Sequence, residues 1–201
     1  MTVFYLVRHG DNDSVGHGIS GRRDGIYLNG RGRAQARAVA ARLADLGVTH
    51  VYSSPLERTR ETAGFIATRL GLDVEIVPEL NEIAFGDWTG RSFTELDSDT
   101  RWRRFNRVRS ITRVPGGEMM IEVQARMVTA LERLRQDWPE AKLVIVSHGD
   151  PIRLAIAYYT GIPLDLLQNI HVDLGSVSTL AVDDHGVCLR CLNHTGHTPP
   201  G

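Results

Sequence analysis

Val3-Phe4-Tyr5-Leu6-Val7-Arg8-His9-Gly10 decides how this chain is read. Five consecutive apolar residues are short for a helix and suit a strand buried on both faces. The run then breaks into an arginine, a histidine and a glycine. The pattern returns at Leu143-Val144-Ile145-Val146-Ser147-His148-Gly149, where Asp150-Pro151 turns the chain into a further helix. Between the two runs, helical and strand signals alternate. Gly30 to Leu46 carries Ala36, Val39, Ala40 and Leu43 at helical spacing, with Gly47 expected as its cap. His50 to Tyr52 reads as a brief strand. Ser53-Ser54-Pro55 then predicts a helix start, with a serine cap and proline in the first turn, and that helix stops at Gly71. Val74 to Val77 is another strand. Glu118 to Trp138 places Val123, Met127, Leu131 and Leu134 on one stripe. Val177 to Val182 and Val187 to Leu192 flank Asp183-Asp184-His185-Gly186 in a hairpin pattern. This alternation predicts an α/β fold of three layers, α/β/α, with a mostly parallel sheet. Ligands of such sheets sit beyond the carboxyl ends of the strands, where both histidines fall.

The chain has 201 residues, which suits one domain with a modest insertion. Trp88 to Gly117 is that insertion: polar, arginine-rich, ending in Pro115-Gly116-Gly117, and read as a helical cover. The tail from Asn193 is expected to fray. Apolar residues make up 42% and charged residues 23%, the balance of a soluble globular protein. No stretch approaches the roughly 20 apolar residues of a membrane span. The opening residues lack a basic start and a small-residue cleavage site, so a cytoplasmic location is expected. The 23 basic residues are offset by 24 acidic ones, which argues against a nucleic-acid surface. Cys188 and Cys191 form a C-x-x-C with His185, His194 and His197 nearby. Val187 to Asn193 reads as a strand, which turns the two thiols to opposite faces, so no metal site is expected.

The candidate site residues each have an ordinary reading. A histidine after a buried strand is often a bonded core residue. An adjacent arginine changes this, because guanidinium is rarely buried without an anion. Arg8-His9 and His148-Gly149 repeat the arrangement, each beside a glycine that lets backbone approach a ligand. Arg58 lies in the first turns of the second helix, either solvated or clamping an anion where the helix dipole favours one. Arg60 points elsewhere. Glu82 is flanked by Leu80, Ile83 and Phe85, a setting that raises a carboxyl pKa as a general acid requires.

Together these segments resemble the histidine phosphatase superfamily, which includes the cofactor-dependent phosphoglycerate mutases. The resemblance rests on Leu6 to Gly10, Ser53-Ser54-Pro55-Leu56-Glu57-Arg58-Thr59 with Thr62-Ala63, and Leu80-Asn81-Glu82 leading to Phe85-Gly86-Asp87-Trp88-Thr89-Gly90. Gly116-Gly117-Glu118 and Val146-Ser147-His148-Gly149 follow in order. Gly21-Arg22-Arg23-Asp24, Leu28-Asn29-Gly30 and Gly175-Ser176-Val177-Ser178 also fit. The resemblance implies a phosphoglycerate mutase-like fold. It implies that His9 is the nucleophile, that Arg8 and Arg58 hold phosphoryl oxygens, and that His148 adds a donor. Glu82 would protonate the leaving oxygen and then activate water. Asn12, Arg22 and Gly149 are the further candidates for substrate binding. Neither metal nor cofactor is implied, since the arginines and His148 supply the positive charge.

One departure stands out. Val15 occupies a position where the family often has a phosphate-contacting Asn, so Asn12 or Ser14 fills that role or the pocket has one donor fewer. His17 reads as a solvated loop residue. The short insertion favours hydrolysis of a small phosphomonoester over mutase chemistry, which needs the site sealed from water. A non-catalytic phospho-ligand binder is a third alternative. Arg101 to Arg113 holds six arginines and no acid. It reads either as a positive lid for a charged substrate, its aromatics stacking on a base, or as a solvated face paired with Asp97 and Asp99. No nucleic-acid or membrane partner is expected, and a homodimer is left open.

Overall fold

The computed structural model describes residues 1–196. Its centre is one six-stranded sheet built from β1 (Thr2–Arg8), β2 (His50–Ser53), β3 (Val74–Ile76), β4 (Lys142–Ser147), β5 (Val177–Asp183) and β6 (Gly186–His194). The strand order is β3-β2-β4-β1-β5-β6. The pairings β1–β4, β2–β4 and β2–β3 are parallel, while β5 and β6 add an antiparallel edge. The expected mostly parallel sheet is therefore present.

Alternation along the strands assigns the two faces. Val3, Tyr5, Val7, Val51, Val144 and Val146 point to one side. There they meet α1 (Gly30–Leu43) through Val39 and Leu43, and α2 (Glu57–Leu70) through Ala63 and Ile66. Phe4, Leu6, Leu143 and Ile145 point to the other side. That layer is formed by α5 (Met120–Asp137), whose stripe Val123, Met127, Leu131 and Leu134 is buried, and by α6 (Gly149–Thr160). A strand with both faces covered has no room for polar alternation, which is why β1 and β4 read as continuous apolar runs.

The insertion folds as two short helices, α3 (Phe93–Asp97) and α4 (Thr100–Arg107). Ser92 caps α3 and Asp99 caps α4. Phe105 and Leu96 are fully buried in the larger core with Trp88. The cover is thus fused to the domain.

Three local expectations differ. The first helix ends at Leu43, and a turn leads on to Gly47 at φ 71°. Ser53 and Ser54 do not cap α2, whose N-cap is Leu56 with no side-chain bond. Asn193 and His194 extend β6 instead of fraying, while 197–201, including His197, lie outside the described residues. Gly71 closes α2 in the left-handed conformation, as expected. Among the described residues no helix is long and apolar enough to cross a membrane.

Candidate active site

The site follows from one parallel pairing. Arg8 of β1 lies in register with Ser147 of β4, so the residues after them, His9 and His148, leave the sheet side by side. Their rings sit edge to face with centroids 5.3 Å apart. Gly10 has to be glycine: a Cβ there would lie 2.5 Å from the carbonyl oxygen of Gly32. That close approach of α1 and the amide of Gly10 donating to Thr62 Oγ1 at 3.1 Å fix the turn that carries His9.

His9 is buried, and its Nδ1 donates to its neighbour's carbonyl, Gly10 O, at 2.8 Å. A carbonyl only accepts, so the proton rests on Nδ1 and Nε2 keeps its lone pair. Burial, then the charges of Arg58 and Arg8, push the His9 pKa well below its ordinary 6.5. This favours the neutral ring, with Nε2 free of a proton.

Positive charge surrounds it. Arg8 Nη1 donates to Val172 O at 2.7 Å, and Arg58 Nη2 donates to Gly21 O at 2.8 Å. Arg8 Nε and Arg58 Nη1 are buried without a partner. Burial lowers both guanidinium pKa values while Glu82 pushes back, and neither group can lose its charge near neutrality. Unpaired buried N–H groups cost free energy unless a ligand satisfies them. These two border a cavity of about 210 Å³ that also touches His9, Asn12, Glu82 and Gly149.

His148 is fully buried at the N-cap of α6, behind the cavity wall. Its Nε2 shares a 2.7 Å hydrogen bond with Ser54 Oγ. Its Nδ1 has no hydrogen-bond partner and lies 3.9 Å from Glu82 Oε2. When Ser54 donates to Nε2, the His148 proton sits on Nδ1, on the side of Glu82. Ser54 is a site residue that sequence reasoning assigned to helix capping. Burial and the neighbouring cations hold His148 well below the usual histidine range.

Glu82 faces the cavity, as expected, with Oε1 accepting from Ile83 N at 2.9 Å. Burial, then the Asp150 charge, raises its pKa above the ordinary 4.5. Its loop is held by groups that sequence reasoning did not single out. Arg126 of α5 donates to the carbonyl oxygens of Glu79, Asn81 and Glu82, and pairs with Glu118. Glu118 also accepts from Ala84 N and Arg22. Such a brace joins residues far apart in sequence, so only the Gly116-Gly117-Glu118 motif hinted at it.

The remaining candidates divide. Asn12 is buried and borders the cavity, its Oδ1 accepting from the amide and hydroxyl of Ser14. Ser14, Val15 and Gly149 border it too. Arg22 does not. It is exposed, donating to Glu82 O and Glu118, so it stands behind the Glu82 loop. His17 and Arg60 are exposed and outside the cavity wall. Cys188 is exposed and Cys191 half-buried on β6, and the described residues contain no cluster of three or more metal-ligating side chains.

The aromatics of the arginine run pack on the core. Trp102 packs edge to face on Trp88 at 5.2 Å and stacks on buried Phe105 at 5.9 Å. Arg101 pairs with Asp99, Arg109 with Asp150 and Arg113 with Glu122. Arg103, Arg104 and Arg107 remain exposed.

The family model of the histidine phosphatase superfamily (branch 1) matches residues 4–195. A protein of Escherichia fergusonii named probable phosphoglycerate mutase GpmB is 35% identical over 167 residues, covering 81% of this chain and 77% of that one. The structure of Bacillus stearothermophilus YhfR superposes with a TM-score of 0.93 at 25% identity, covering 99% and 100% of the two chains. Phosphoserine phosphatase of Entamoeba histolytica in complex with 3-phosphoglyceric acid gives a TM-score of 0.86 at 28% identity, covering 99% and 100%.

Proposed function

Because the chain belongs to the histidine phosphatase superfamily, we propose that it hydrolyses a small phosphomonoester through a phosphohistidine on His9, without a metal ion. The observation that carries this reading is the state of His9. Its Nδ1 proton is held by Gly10 O, which leaves Nε2 bare beside two guanidinium groups that each keep one buried N–H without a partner.

In the first step Nε2 attacks phosphorus and the bond from phosphorus to the ester oxygen breaks. Glu82, whose pKa burial raises, gives its proton to the departing oxygen. Arg8 and Arg58 hold the non-bridging oxygens, and their unpaired N–H groups become satisfied as charge on those oxygens shifts. His148, through Nδ1, adds a donor at the back of the site. In the second step the Glu82 carboxylate takes a proton from water, whose oxygen attacks phosphorus. The N–P bond breaks, inorganic phosphate leaves and His9 is restored. The positive charge that a divalent cation supplies in other phosphoryl-transfer enzymes is supplied here by arginine. The small size of the cover, two helices of five and eight residues, supports water entry over a sealed mutase site.

The test is phosphate release from a generic aryl phosphate in excess EDTA, comparing wild type with His9→Ala. Release should be rapid in the first and at least about 1,000-fold slower in the second, the scale lost when a covalent nucleophile is removed. Equal release from both would overturn His9 as nucleophile. No release from wild type would turn the assignment toward phosphotransfer between substrates.

A further inference from the structure

The phosphate cavity opens into a second chamber that the phosphoryl chemistry leaves unused. The two share Ile19, Phe85, Phe93, Asp150 and Arg153 as walls. The second chamber measures about 390 Å³ and is completed by Trp102, Asn106, Arg109 and Gln168. It lies under the cover, with Phe93, Trp102 and Asn106 of the two cover helices in its wall.

One wall is apolar. Phe93 is 39% exposed, a large aromatic left open at the junction of the chambers, and Trp102 stands beside it with ring centroids 6.5 Å apart. The facing wall is charged. Asp150 is held between two guanidiniums, Oδ2 accepting from Arg109 Nη1 at 3.4 Å and Oδ1 from Arg153 Nη1 at 2.9 Å. Two cations against one anion leave a net charge of +1.

Hydrogen-bond accounting gives the same sign. Asn106 Oδ1 already accepts from Arg109 Nη2 and from Gln168 Nε2, both at 2.9 Å. Each oxygen of Asp150 already accepts from one arginine. Donors, by contrast, are in surplus. Arg109 is only 6% exposed, lies across the Phe105 ring at 4.9 Å, and its Nε–H has no partner. A chamber with the acceptors of Asn106 and Asp150 engaged and a buried donor unpaired favours an anion and disfavours an ammonium group.

We infer that this chamber is the leaving-group subsite, and that it selects a phosphomonoester whose alcohol has an apolar body ending in a carboxylate. The apolar body lies along Phe93 and Trp102, and the carboxylate meets Arg109 and Arg153. The inference rests on the hydrolytic reading above and deepens it.

The test uses three phosphate esters that share one reacting end: 2-phenylethyl phosphate and its para-carboxyl and para-aminomethyl derivatives. The ring substituent is remote, so the basicity of the leaving oxygen is nearly constant. Wild type should turn over the carboxyl ester with kcat/KM about 10- to 100-fold above the neutral one, the range of a charge-assisted hydrogen bond, mostly through KM. The aminomethyl ester should be the poorest. In Arg109→Met, which keeps an apolar stem over Phe105, the carboxyl-to-neutral ratio should collapse towards one. Equal kcat/KM for all three esters in wild type, or preference for the amine, would overturn the subsite while hydrolysis stands. A ratio kept in Arg109→Met would overturn the assignment to Arg109. No turnover of any ester would sink the hydrolytic reading with it.

Discussion

The phosphate end of the site and its cover differ in how they are built. The phosphate end hangs on two adjacent parallel strands, and its residues leave the sheet in fixed register at Arg8 and Ser147. Its polar groups are deliberately incomplete: Arg8 Nε, Arg58 Nη1 and His148 Nδ1 lack partners. Apart from the chamber wall that Arg109 completes, the cover is the reverse. Asp99 receives Arg91, Arg101 and Trp88 Nε1, and the bonds from the Arg101 side chain and amide, then from Trp88, hold its carboxyl well below the usual range. Trp88, Trp102 and Phe105 pack on one another. Unsatisfied groups on a rigid frame are prepared for a ligand, whereas satisfied groups hold a shape. The largest functional effects should therefore come from the first region, with largely structural ones from the cover outside that chamber.

Arg58 tests this most severely. Arg58→Ala should lower kcat/KM by about 100- to 1,000-fold, the scale lost with one transition-state donor. Arg58→Lys should recover little, because an ammonium cannot donate to Gly21 O and to a phosphoryl oxygen in the same fork. Steady-state kinetics on an aryl phosphate would read both, and near-wild-type activity of the lysine variant would break the comparison.

Glu82 supplies the next effect, with a pH signature. Catalysis needs His9 neutral and Glu82 protonated. Activity should rise with pH through the His9 pKa, which lies below 6.5, and fall through the Glu82 pKa, which lies above 4.5. The limbs belong to the interacting site as a whole. Glu82→Gln should lower kcat about 100-fold for a poor leaving group and remove the alkaline limb. An unchanged pH profile in that variant would assign the proton to another group.

How much of this could be read beforehand depends on how local each feature is. His9 and His148 were legible because each follows an apolar run, and parallel strands that share a sheet end at the same edge. Arg58 was legible as a residue of a helix that starts at that edge. The Arg126 brace was not, because it carries a residue of α5 to carbonyl groups 44 to 47 positions earlier in the chain. Ser54 was misread for a related reason. Its sequence neighbours predict a cap, yet the approach of β4 offers its hydroxyl the imidazole of His148, 94 residues away. The arginine run was ambiguous because charge in a sequence does not show its partners. Arg109 is buried against Asp150 while Arg103, Arg104 and Arg107 face water.

Ser54→Ala therefore separates a capping role from an orienting one. Leu56 is the N-cap and makes no side-chain bond, so losing the Ser54 hydroxyl should leave α2 intact. What is lost is the hydrogen bond to a fully buried imidazole, worth about 1 kcal/mol. The variant should lose about fivefold to tenfold in kcat with KM little changed, and Ser54→Thr should restore most of it. A fall in helix content would return the serine to its capping role.

The smallest effect concerns the three exposed arginines of α4. If Arg103, Arg104 and Arg107 only coat the cover, replacing all three by glutamine should change thermal stability within about 0.5 kcal/mol. Their influence on a phosphate ester would then be a long-range one, screened beyond roughly 10 Å at 0.1 M salt. The triple variant should lower kcat/KM no more than about threefold at low ionic strength and not at all at high. A large, salt-independent loss would mean that these side chains touch substrate. The outer face of the cover would then bind substrate as well, and the division between a prepared phosphate end and a satisfied outer cover would fail.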